Sequence, residues 1–204
     1  MSNRSLAIWL LGYPEAALKD AEDAISLARN IGQTGTFLYT LTRIAWFRLV
    51  IGDYAAAAAQ IRELMSAAAD VEGSYWTAAG MMLQGCLLAL TGESAPAIEM
   101  ITAGIAASRL TGWNLLRMPW YLSCLTRAHV ALGQLDHAER CMDEAMAAMA
   151  ATKETWQESD LQRIAGDLAL VSSQPNVTKG EAHYRRALAI ARGRRRNSGS
   201  CGRR

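Results

Sequence analysis

The chain of 204 residues predicts an all-α protein, an α-solenoid of stacked antiparallel helical hairpins. Three observations carry that prediction. Glycines recur at corner-like positions, Gly12, Gly52, Gly92 and Gly133, at intervals of 40, 40 and 41 residues. An alanine follows each by five positions: Ala17, Ala57, Ala97 and Ala138. Between the corners, apolar residues keep helical spacing, and runs of alternating β-branched residues are absent. A period of this length marks a repeat array, because one helical pair cannot bury its own apolar faces and needs neighbours.

The elements follow in order. The first pair is read over 5–11 and 14–31, its second helix opening on Pro14, whose fixed φ suits a first helical turn. The second pair spans 35–51 and 54–70. Leu41, Ile44, Ala45 and Leu49 share one face of its first helix; Ala57, Ile61, Leu64, Met65 and Ala68 share one face of its second. Gly52 supplies the positive φ that ends the first helix, and Asp53 suits the start of the next. The third and fourth pairs are 73–91 with 94–111 and 115–132 with 135–150. The fifth, 155–172 with 178–192, turns through a longer corner, "VSSQPNVTKG", with Pro175 where the others use glycine. The corner alanines have a steric reason. Two antiparallel helices joined by so short a turn cross closely, and only a small side chain fits there. The first helix is short and begins about half a helix late, so the expectation is a piece of a longer array with about four and a half hairpins.

Composition narrows the function classes. Hydrophobic residues make up 51% and charged residues 20%, ample for a core. No apolar run approaches the roughly 18 residues of a membrane span, and the N-terminus lacks a signal-peptide pattern. Cys86, Cys124, Cys141 and Cys201 lie far apart without metal-type spacing, and the first three fall in apolar helical patterns as small hydrophobes. A cytoplasmic address follows. Five arginines, Arg194, Arg195, Arg196, Arg203 and Arg204, stand in the last twelve residues, which hold no acid; the remainder carries 16 basic against 19 acidic residues. That body has no general attraction for nucleic acid, and neither a specific nucleic-acid partner nor a membrane partner is expected.

Catalytic patterns are missing from the sequence: there is no phosphate-cradling glycine loop with Lys-Ser or Lys-Thr, no nucleophile elbow, no zinc-protease helix and no calcium loop. His129, His137 and His183 stand singly on predicted helices, and Cys124 and His129, five apart, point in different directions. The expectation is a non-enzyme with no cofactor and no metal.

The corner pattern Gly-x-x-x-x-Ala, "GDY" at Gly52, and small residues Ala45 and Gly85 seven positions before a corner glycine resemble tetratricopeptide repeats, in a longer-helix variant. "WLLGYPEAAL", "GWNLLRMPWYLSCLTRAHVALGQLDHAE", "TWQESDLQRIAGDLAL" and "EAHYRRALAIAR" are similar to the C-terminal helical region of large bacterial signalling proteins. In those, a nucleotide-cyclase or LuxR-type DNA-binding domain is fused to a STAND-type ATPase and then to tetratricopeptide repeats. The resemblance covers the chain to about Arg192. It implies a scaffold that binds a protein or peptide, or other domains of a larger parent protein; the alternative is a non-catalytic fragment that regulates a cyclase or ATPase. Uncapped solenoid ends would also self-associate.

Such arrays line a concave groove with their first helices. All six tryptophans, Trp9, Trp46, Trp76, Trp113, Trp120 and Trp156, lie on or just before a first helix, where they serve as inter-repeat packing or as partner anchors. Registered on the corner glycines, the groove-facing set is Tyr39, Thr42, Trp46, Trp120, Ser123 and Arg127, extended by Asp160, Arg163 and Asp167. One aromatic, one hydroxyl and one guanidinium at Trp120, Ser123 and Arg127 would supply apolar area, a hydrogen bond and a carboxylate fork. The array is bounded at 1–192. Residues 193–204 are expected to be a disordered basic tail or the product of a frameshift, since one codon choice read a base later gives "QATQFWELRAA", which looks like the family's usual continuation.

Overall fold

A computed structural model describes residues 4–69, 71, 74–110, 117–153, 155–172 and 174–201, with backbone alone at 74, 110 and 194–201. Its elements are helices throughout, with no strand among the described residues: α1 Arg4–Leu10, α2 Pro14–Ile31, α3 Thr34–Ile51, α4 Tyr54–Ala69, α5 Ser74–Thr91, α6 Ser94–Leu110, α7 Met118–Ala131, α8 Leu135–Thr152, α9 Glu158–Val171 and α10 Val177–Cys201. None of these helices is long and apolar enough to cross a membrane. Apart from the end of α10, every observed bound falls within three residues of the sequence reading, and both bounds of α2 coincide with it. Trp113 lies outside the described residues.

The corners form as the glycines predict. Gly12, Gly52, Gly92 and Gly133 all have positive φ, between 68° and 98°. At each, the residue after the glycine donates its N–H back to a carbonyl five positions earlier: Tyr13 to Ile8, Asp53 to Arg48, Glu93 to Leu88 and Gln134 to His129. That is the Schellman closure, which satisfies carbonyls a helix end would otherwise leave unpaired. The alanine five beyond each glycine is fully buried. Asp53 adds a cap, its Oδ1 accepting from the Ala56 N–H at 3.3 Å, and Pro14 holds the first turn of α2.

The chain divides into two units, Met1–Leu87 with Glu99–Gly112, and Leu88–Ile98 with Trp113–Arg204. In the first, α1 packs on α2, α2 on α3 and α3 on α4. Its core gathers Leu38, Leu41, Ile44, Phe47, Ile61, Leu64, Met82, Leu83 and Ile101. Gly104 lets α6 press onto α5, for an added Cβ there would stand 2.5 Å from the Met82 side chain. Ion pairs stitch the helices: Asp20 takes the Arg4 guanidinium and the Ser5 hydroxyl, Arg29 meets Glu63 at 2.6 Å, and the buried Arg48 meets Asp53 at 2.5 Å and Glu22 at 3.8 Å.

In the second unit, α7 packs on α8, α8 on α9 and α9 on α10, and α7 also touches α9. The longer corner closes differently from the glycine corners. Asn176 donates its N–H to the Ala169 carbonyl and caps α10 by accepting the Lys179 N–H at 2.8 Å. The sequence places a disordered tail from 193, whereas the backbone carries α10 on through Cys201. Residues 193–201 contain no proline, while Gly193, Asn197 and Gly199 are weak helix formers.

Candidate functional site

Four of the nine residues expected in a binding groove are brought together in the second unit. Asp160, Arg163 and Asp167 lie three and four apart on α9, so they form one stripe. Arg127 reaches them from α7, its Nη2 donating to both carboxylate oxygens of Asp160 at 3.2 and 3.1 Å. Arg163 donates Nε and Nη2 to the same Asp160 Oδ1 at 3.2 and 2.8 Å, and Nη1 to Asp167 Oδ2 at 2.8 Å. These four side chains are between 32% and 47% exposed.

A fifth member comes from α10. The Tyr184 hydroxyl donates to Asp167 Oδ1 at 2.6 Å. The approach depends on a missing side chain, since a Cβ on Gly166 would sit 2.7 Å from the tyrosine ring. The network therefore ties three helices. Electrostatics fix its protonation. Burial works to lower the Arg163 pKa, but the hydrogen bond and charge of Asp160, with Asp167 behind it, hold it above the ordinary value. The hydrogen bond to Asp167 raises the Tyr184 phenol, with burial assisting, so it stays a donor at neutral pH. Two guanidiniums, two carboxylates and a phenol at the surface offer alternating donors and acceptors but no activated nucleophile.

Four of the expected groove residues are placed elsewhere. Trp120 and Ser123 are buried, at 7% and 2% exposure, and the Ser123 hydroxyl donates to the Trp120 carbonyl at 2.7 Å. Thr42 and Trp46 are buried in the first unit, and the Thr42 hydroxyl is likewise turned back on its own helix, to the Leu38 carbonyl. The reason is packing around the whole circumference. Residues 117–126 are buried without interruption, so α7 leaves no stripe for a partner until Arg127. Tyr39 is half-buried, and the Arg43 guanidinium lies 5.9 Å from its ring centre and 5.7 Å from that of Trp46. That cation–π arrangement belongs to spacing three and four on α3.

Sequence reasoning missed Tyr184 and Arg43. Restricting the groove to first helices excluded Tyr184, although a tyrosine opposite a helical glycine is a usable signal for close crossing. The histidines also differ from expectation. His129 and His137 meet across the α7–α8 corner with ring centres 5.2 Å apart and planes within 25°, and His129 Nδ1 contacts Gln134 Oε1 at 2.7 Å. Among the described residues no three His, Cys, Asp or Glu side chains gather as a metal site would require. No protein-family model matches the chain, and no curated protein matches it.

Proposed function

We propose that the chain is a non-catalytic helical-repeat interaction module of the tetratricopeptide kind, binding a protein or peptide partner for a signalling or regulatory protein. The observation that carries this reading is the half-exposed network of Arg127, Asp160, Arg163, Asp167 and Tyr184, drawn from the first helices of two successive hairpins and the second helix of the last. Contact between α7 and α9, the first helices of neighbouring hairpins, is what a repeat array requires. Each carboxylate here already has a cation and each guanidinium a carboxylate, so a partner binds by exchange. An acidic residue takes a fork of Arg127, and a basic residue takes Asp167. Such exchange favours specificity and on-rate over raw affinity.

The test is selection of displayed peptides on the full chain, followed by binding of the selected peptides to Arg127→Ala and Arg163→Ala. At least one selected family should lose roughly tenfold or more in affinity, about 1.4 kcal/mol, with helical content by circular dichroism unchanged. Undiminished binding of every selected peptide to both variants would remove this surface from the function.

A further inference from the structure

On the second unit a cleft of about 500 Å³ opens among α8, α9 and α10. Its floor is apolar: Met142 from α8 and Ala165, Leu168 and Ala169 from α9 line it, all buried. Its banks carry opposite charge. Glu139 and Asp143, four apart on α8, make one bank; Lys179 and His183, four apart on α10, make the other. The corner holding Ser172 and Asn176 borders one end, and both side chains are already engaged, Ser172 Oγ with the Gln174 carbonyl and Asn176 Oδ1 with the Lys179 N–H.

Two features separate this cleft from an ordinary surface dip. Glu139, Asp143 and Lys179 have no ion-pair partner among the described residues, whereas Glu181, Arg185 and Arg186 of α10 do. Opposite banks left apart leave room for a molecule that satisfies both. The volume is that of a small-molecule site, which is lined by apolar groups with a few polar ones that orient the ligand. His183 Nδ1 is occupied by Gln162 Oε1 at 2.7 Å, and burial, then Lys179 and Arg186, press its pKa down, so Lys179 supplies the positive charge at neutral pH.

We infer that the cleft binds a small zwitterion on an apolar body, an apolar amino acid or a peptide of up to about three residues. The ammonium lies against Glu139 and Asp143, the carboxylate against Lys179, and the apolar side chain on Met142 and Leu168. A ligand of one charge would satisfy one bank and face repulsion from the other. A neutral apolar ligand would leave both banks unpaired.

Calorimetric titration of the full chain with leucine, dileucine and trileucine tests this, alongside the same molecules acetylated at the amine and amidated at the carboxyl. At least one zwitterion should bind, and its doubly blocked form should bind at least about tenfold more weakly. Asp143→Asn and Lys179→Met, both exposed positions, should each weaken binding by about threefold or more. Reversal of the banks in one chain, Glu139→Lys, Asp143→Lys and Lys179→Glu, should restore binding, because a zwitterion can turn end for end. Restoration separates recognition from a merely structural role. Absence of binding by all three zwitterions, equal binding of the blocked forms, or failure of the reversed chain while its fold is intact would each overturn the inference.

Discussion

Trp120 and Arg127 stand seven residues apart on α7, yet one is buried and the other a third exposed. Truncation separates them. Trp120→Ala should cost about 3–5 kcal/mol in urea denaturation, the usual toll for a large buried aromatic. A change below about 1 kcal/mol would place the indole outside the core. At the corners, Ala57→Leu should cost about 1–3 kcal/mol or more, because the site is fully buried. The alanines were legible because their reason is steric and their period is fixed. The tryptophans were not. An indole suits a core and a binding surface equally, and spacing tells which residues share a stripe without telling how much of the circumference is covered. The hydroxyls of Ser123 and Thr42 are satisfied by their own helix, which spacing alone does not reveal.

Helices α3 and α4 meet at a corner where Asp53 does two jobs, capping α4 and pairing the buried Arg48. Asp53→Ala should therefore lower stability by about 1–2 kcal/mol, a cap of about 1 kcal/mol plus part of the pair. Glu22 at 3.8 Å softens the loss by keeping one carboxylate near the guanidinium. A fall in melting temperature for Asp53→Ala but not for Asp136→Ala, an exposed acid in the first turn of α8, is the check. Between α9 and α10, Gly166→Ala pushes a methyl into the Tyr184 ring and should break its bond to Asp167, costing about 1–3 kcal/mol. Element boundaries were readable from the sequence because glycine and proline punctuate them. The course of α10 past residue 192 was not, since Gly193, Asn197 and Gly199 are residues that usually end helices and the arginines between them suggest solvation.

For the molecule as a whole, pH provides a measure of how charge and fold are coupled. The folded-state pKa of His183 is depressed, by burial first and by Lys179 and Arg186 after it. Its contribution to stability is present above about pH 6.5, the unfolded value, and is lost as pH falls through the folded one, where the unfolded chain binds the proton more readily. His183→Gln should flatten that limb of a pH–stability curve. Lower still, Asp20 follows. Burial pushes its carboxyl up, but hydrogen bonds from Arg4 and Ser5 win and hold it below the ordinary value, so its contribution disappears as pH drops through that range. The all-helical class was legible; the division into two units was not, because two of its three limits fall inside α5 and α6 rather than at any change of composition. The four glycine corners have one more consequence, for inheritance. Each closes by hydrogen bonds on its own backbone within a few residues. Recombination between two corner codons, such as those for Gly52 and Gly92, would remove or duplicate one hairpin and recreate an intact corner at the junction. The number of hairpins is then a quantity that descent can count up or down in whole steps, without redesigning a joint.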